Sequence, residues 1–203
     1  MRHLIFVDCE AQGTSPVNGT LTGFGAVHYP SKVSFYGQLF ESHPDPGNPA
    51  VSVAGRRLNG DYEIASDLTR WLLAVCGAGR PVMVSDNPAW DFMWIAGLSD
   101  SAGLPNPFGH SARRISDFWA GLHRDWVNTQ EWKRLRRTKH DHHPVNDAMG
   151  NLEAFERIMQ MVREGKFGQA VRDGHSPASG PVQAAGLSPA SWDKLPGEVP
   201  GQD

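Results

Sequence analysis

Cysteine is nearly absent from the 203-residue chain: only Cys9 and Cys76 occur. Two thiols this far apart make no disulfide framework and have no metal-like spacing, so both read as reduced and buried. A run of about 18 apolar residues is also missing, which excludes a transmembrane helix. The start, Met1-Arg2-His3, leads straight into Leu4-Ile5-Phe6-Val7 and acidic residues, without the longer apolar stretch and small-residue cleavage site of a signal peptide. A cytoplasmic protein with no membrane partner is expected. An excess of positive charge is lacking too. The net charge of −3 excludes a wholly basic nucleic-acid coat, though not an enzyme with a local basic patch. Apolar residues make up 39%, enough for one core.

What is present is an α/β pattern. Leu4–Glu10, Leu21–Tyr29 and Val33–Phe40 read as strands, the last two joined by a turn at Pro30-Ser31-Lys32, and 44–49 reads as a loop. Ile64, Leu68, Trp71, Leu72 and Val75 recur at helical steps until Gly77 and Gly79 stop them. Pro81–Ser85 follows as a strand, Pro88–Leu98 as a helix and Ile115–Phe118 as a short strand. From Pro144, a residue suited to the first helical position, Ala148, Leu152, Phe155, Met159 and Val162 define one buried stripe. Beyond Gly165 the apolar period fades. Residues 169–203, rich in Gly, Pro, Ser and Ala, read as a flexible tail behind a domain of residues 1–168, and Trp192 is the one tail residue suited to docking.

Three segments carry candidate chemistry. Asp8 and Glu10 share one face of the first strand, Val7 and Cys9 the other. Two such acids resist burial as charged groups unless a cation joins them; the bland alternative is a solvent-facing strand end. Asp91 falls in the first turn of a helix, where an aspartate is also a common dipole partner. Asp147 lies in the first turn of the Pro144 helix, with His142 just ahead of it. A histidine near a metal-binding carboxylate can activate water. The run His140, Asp141, His142 and His143 admits a zinc reading, but no second ligand group stands at zinc-finger spacing, and His140 and His143 read as exposed loop residues. Between Arg113 and Lys139, eight basic residues face three acidic ones, with Trp126 and Trp132 interleaved as candidate base-stacking rings. A solvated helix face with partly buried tryptophans is the alternative.

Taken together, Phe6-Val7-Asp8-Cys9-Glu10, Asn87-Pro88-Ala89-Trp90-Asp91 and His142-His143-Pro144-Val145-Asn146-Asp147-Ala148 resemble the three motifs of the DEDDh family of 3′–5′ exonucleases, to which ribonuclease T and oligoribonuclease belong. The match covers roughly residues 3–163, and Gly25-Ala26-Val27 is similar to the end of the family's second strand. The resemblance implies a ribonuclease H-like fold, a mixed central β-sheet flanked by α-helices. It implies two Mg²⁺ or Mn²⁺ ions on Asp8, Glu10, Asp91 and Asp147, with His142 as general base and single-stranded or 3′-overhanging DNA or RNA as substrate, cut to nucleoside 5′-monophosphates. His142 stands five residues before Asp147, the DEDDh spacing. Family members are often dimers. Ala11 departs from the pattern, which has threonine there; Ala11, Gln12 and Gly13 are expected to meet the terminal nucleotide through backbone groups. Asn87, Arg134 and Arg137 are further substrate-binding candidates. The competing reading is a catalytically weak nucleic-acid-binding or polymerase-associated module of the same fold.

Overall fold

The computed structural model describes residues 2–44, 46–47 and 52–167. The tail, with Trp192, and part of the loop at 44–49 lie outside the described residues. Strand β1 (Arg2–Gln12) pairs antiparallel with β2 (Thr20–Tyr29), and β2 pairs antiparallel with β3 (Ser34–Gln38). After helix α1 (Asp61–Cys76), the chain adds β6 (Arg80–Ser85) parallel to β1 and β7 (Ala112–Arg114) parallel to β6. The resulting mixed sheet has the order β3-β2-β1-β6-β7. A hairpin of β4 (Phe40–Pro44) and β5 (Ser52–Arg57) forms a second, two-stranded sheet beside β1 and β2.

Helices α1 and α2 (Pro88–Ser101) cover one face of the sheet, and α3 (Ile115–His123) and α4 (Pro144–Arg163) cover the other. Alternation along β1 assigns its side chains: Ile5, Val7 and Cys9 pack with Leu68, Leu72, Trp94 and Ile95, whereas Phe6 packs with Trp119, Leu152 and Ile158. Asp8 and Glu10 continue the Phe6 row and so emerge on the α4 side. With helices on both faces, β2 is buried from Leu21 to His28, as its near-continuous apolar sequence requires.

Four local readings shift. Ile115–Phe118 is not a strand but the opening of α3; the strand is the preceding Ala112–Arg114. Ile115, Ser116, Trp119 and Ala120 return to one buried face at helical steps, a period that a four-residue window cannot reveal. The strand expected over Val33–Phe40 divides at buried Leu39, where the chain leaves β3 for the β4–β5 hairpin. On α4 the buried stripe is Ala148, Asn151, Leu152, Ala154 and Ile158, and Val162 is exposed. Trp132 is fully buried in a 3-10 turn (Glu131–Leu135) and donates its indole N–H to Ser116 Oγ at 3.1 Å, so it is no base-stacking ring. No helix among the described residues is long and apolar enough to cross a membrane.

Candidate active site

The site forms where β1 outruns its parallel neighbour. Pairing between β1 and β6 ends at Phe6 opposite Val84. Beyond it, the Cys9 N–H has no strand partner on that edge and donates instead to Asp91 Oδ1 at 3.0 Å. The Cys9 thiol reaches the Asp91 carbonyl at 3.6 Å. Asp91 is held there because Asn87 caps α2 and Pro88 opens it, placing Asp91 in the first turn. On the other face, His143 caps α4 and Pro144 starts it, placing Asp147 in its first turn.

Asp8, Glu10 and Asp147 offer carboxylate oxygens within 4.8 Å of one another. Asp91 stands outside that trio, but among neighbouring charges its own acts most strongly on Asp8. Burial first, then the charges of Asp91 and Asp147, push the Asp8 carboxyl well above the usual aspartate range. Burial likewise raises Asp91 to about 7, with the nearby Ser85 hydroxyl and the Cys9 amide opposing the effect and Asp86 and Glu10 adding to it. Asp91 and Asp147 are almost wholly buried, and Asp91 Oδ2 and both oxygens of Asp147 lack a hydrogen-bond donor. Buried acceptors without donors are costly. Oxygen-only ligands in this number suit hard divalent cations, so the residues present fit magnesium or manganese.

Two histidines border the carboxylates. His142, in the left-handed conformation at φ 61°, brings Nδ1 to 3.9 Å from Glu10 Oε1. His140, which the sequence places in an exposed loop, is half-exposed but sets Nδ1 2.7 Å from Asp147 Oδ2, off the line of a hydrogen bond. The rings of His140 and His142 meet edge to face, 4.5 Å between centroids. His143 turns away and packs on Tyr36.

A cleft of about 520 Å³ opens over Asp8, Glu10 and Asp91, lined also by Asn87, Trp90, Arg114, Lys133, Arg136 and His140. Its cations are therefore Arg114, Lys133 and Arg136. Arg134 and Arg137 do not line it; they line a second cleft with Tyr29, Glu153 and Glu156, and Arg137 pairs with both glutamates. The three-residue period of the 3-10 turn puts Lys133 and Arg136 on the side facing Asp86, although Arg136 also borders the second cleft. Asp86, which the sequence reading passed over, holds Lys133 Nζ at 3.0 Å and Arg136 at 3.5 Å. Its signal was its place one residue past β6, beside Asn87. Ala11 and Gln12 follow a register shift at Glu10, Gln12 accepting the Ala54 N–H, and Gly13 has φ 92° against Gly19. Trp126 is exposed.

No family model matches the chain, and no curated protein is similar to it. Solved structures are similar. The nuclease domain of 3′hExo, a DEDDh family member bound to rAMP, aligns over 80% of this chain and 92% of its own at 11% identity and TM-score 0.55. E. coli exonuclease I in complex with a 5cy-dT13 oligonucleotide aligns at 12% identity and TM-score 0.54, and the zinc-bound exonuclease I–ssDNA complex at 13% and 0.52. In both, the match covers 82% of this chain and 42% of exonuclease I. At such identities the likeness is one of fold, and the fold is the ribonuclease H-like one of the DEDDh exonucleases.

Proposed function

We propose that the chain is a metal-dependent exonuclease that removes nucleotides from the 3′ end of single-stranded or 3′-overhanging DNA or RNA, with residues 1–168 as its catalytic domain. The observation that carries this reading is the convergence of Asp8, Glu10 and Asp147 within 4.8 Å, with donorless carboxylate oxygens on Asp91 and Asp147, in this fold. The rAMP and single-stranded DNA bound by the structural neighbours agree with such a substrate.

Asp8, Glu10, Asp91 and Asp147 would hold two Mg²⁺ or Mn²⁺ ions, which when bound supply Lewis-acid stabilisation to the attacking and departing oxygens. His142 takes the proton of the attacking water, from a loop position beside Glu10. Arg114, Lys133 and Arg136 draw the phosphate backbone along the cleft wall, in place of Arg134 and Arg137. Asn87 lines the same cleft. Ala11, Gln12 and Gly13 do not, and they meet the terminal nucleotide only through the backbone that follows Glu10 in the chain. The product is a nucleoside 5′-monophosphate.

One observation favours the catalytically weak binding module instead: His140 Nδ1 sits against an Asp147 oxygen that an ion would use. Digestion of matched DNA and RNA oligomers, with 3′-hydroxyl and 3′-phosphate ends, separates the two. Stepwise shortening from the 3′ end with magnesium, abolished by EDTA, is expected; oligomer binding without shortening under magnesium or manganese overturns the exonuclease.

A further inference from the structure

At the other end of β1, away from the carboxylates, two imidazoles and a thiol meet. His3 opens β1, His28 closes β2 and Cys76 ends α1, yet one ligand atom of each lies within 4.8 Å of the other two. His3 Nδ1 faces His28 Nε2 at 3.0 Å, and the rings stack with centroids 5.2 Å apart. His28 and Cys76 are buried, while His3 is partly accessible. We propose that His3, His28 and Cys76 form a second metal site of soft character, binding one zinc ion through His3 Nδ1, His28 Nε2 and Cys76 Sγ.

The surroundings are arranged around these atoms. Ser31 Oγ lies 2.7 Å from His28 Nδ1 and also accepts the Val33 N–H at 3.4 Å. A hydroxyl oxygen accepting from Nδ1–H leaves the Nε2 lone pair directed at His3 and Cys76, the outer-shell arrangement that fixes the tautomer of metal-ligating histidines. Gly77, at φ 55°, turns the chain out of α1, and Gly79 returns it against His3. A Cβ at position 79 would stand 2.4 Å from His3 Cδ2, so a larger residue there would displace the ring from its present place. Imidazole and thiolate select zinc over magnesium, the reverse of the carboxylate site. On binding, the Cys76 thiol releases its proton to solvent, His3 shifts its own proton from Nδ1 to Nε2, and a water on the accessible His3 side completes four ligands. Such an ion would tie the start of β1 to the ends of β2 and α1.

The test uses the reduced full-length chain with saturating magnesium, which occupies the hard site, and Co²⁺ as a spectroscopic stand-in for zinc. One equivalent of Co²⁺ is expected to give a thiolate-to-metal charge-transfer band that zinc abolishes by displacement. The band is expected to persist in Cys9→Ser and vanish in Cys76→Ser. In Ser31→Ala, cobalt affinity should fall by about 10–100-fold. Absence of the band from the wild-type chain overturns the proposal whatever the variants do, and so does a band that survives in a folded Cys76→Ser.

Discussion

Asp147 has no hydrogen-bond donor on either oxygen although the residue is almost wholly buried, and the imidazole of half-exposed His140 stands against one of them. Buried acceptor oxygens left without donors cost stability. The cost is understandable if the residue is retained for an ion. Asp147→Asn keeps the shape while removing the charge, so it should abolish cleavage and leave the thermal midpoint in EDTA unchanged or raised. A midpoint well below wild type would mean that Asp147 serves the fold instead. The two flanking histidines divide similarly. If His142 is the general base proposed above, it is worth about 10²–10⁴ in kcat, and at saturating magnesium, which holds the carboxylates ionised, His142→Ala should also remove the ascending limb of the pH–rate profile. His140 touches Asp147, which places it against a candidate ligand, so His140→Ala should keep that limb. If the limb disappears with His140 and persists without His142, the two roles are exchanged.

At the scale of elements, the carboxylates meet only because β2 lets α4 come close. Gly25 pairs with Asp8 in register, and a Cβ on it would lie 2.3 Å from the Pro144 carbonyl carbon at the start of α4. That contact is with backbone, which cannot swing aside. Gly25→Ala must therefore push the first turn of α4, with Asp147, away from Asp8, at a cost of about 1–3 kcal/mol from overpacking. Urea denaturation should show the loss and turnover should fall with it; a variant with wild-type values for both would show that the helix start does not set the site. The sequence made much of this geometry readable. Period-two alternation placed Asp8 and Glu10 on one face, and Pro88 and Pro144 marked helix starts that put Asp91 and Asp147 in first turns. Unreadable were features that depend on partners distant in sequence. Trp132 looks like a surface ring until α3 supplies Ser116 and a buried face. His140 is exposed, as its loop position suggests, but only the folded α4 brings Asp147 against it. Arg134 and Arg137 are the substrate-binding candidates in the sequence, yet Lys133 and Arg136 line the cleft, because charge alone does not say which side of a 3-10 turn meets Asp86.

For the whole molecule, the net charge of −3 conceals a division between an acidic floor and a basic wall. If Arg114, Lys133 and Arg136 guide phosphates, oligomer affinity should fall steeply with salt, and Lys133→Ala should reduce the slope of log K against log salt by about 1. An unchanged slope would remove Lys133 from the path. The acidic floor acts on stability itself. Asp8 and Asp91 are held above their ordinary value of 3.8, Asp91 at about 7. Between those values the metal-free folded chain binds more protons than the unfolded chain, so its stability falls as pH rises through the window and the contribution is lost above about 7. The surface acids Glu41, Asp141 and Glu164 have lowered values, and their contribution is lost only as pH falls below the ordinary carboxylate range, outside that window. Ion binding reverses the trend, because it requires the ionised form of the same groups. In EDTA the thermal midpoint should therefore decline as pH rises through about 7, most clearly above 6.5. Below that ordinary histidine value His28, lowered by burial and by His3, gains stability with pH and offsets part of the fall. The increment gained with magnesium should grow over the same interval. Asp91→Asn should flatten the EDTA curve. A magnesium increment independent of pH would mean that the ion does not bind through these buried carboxylates.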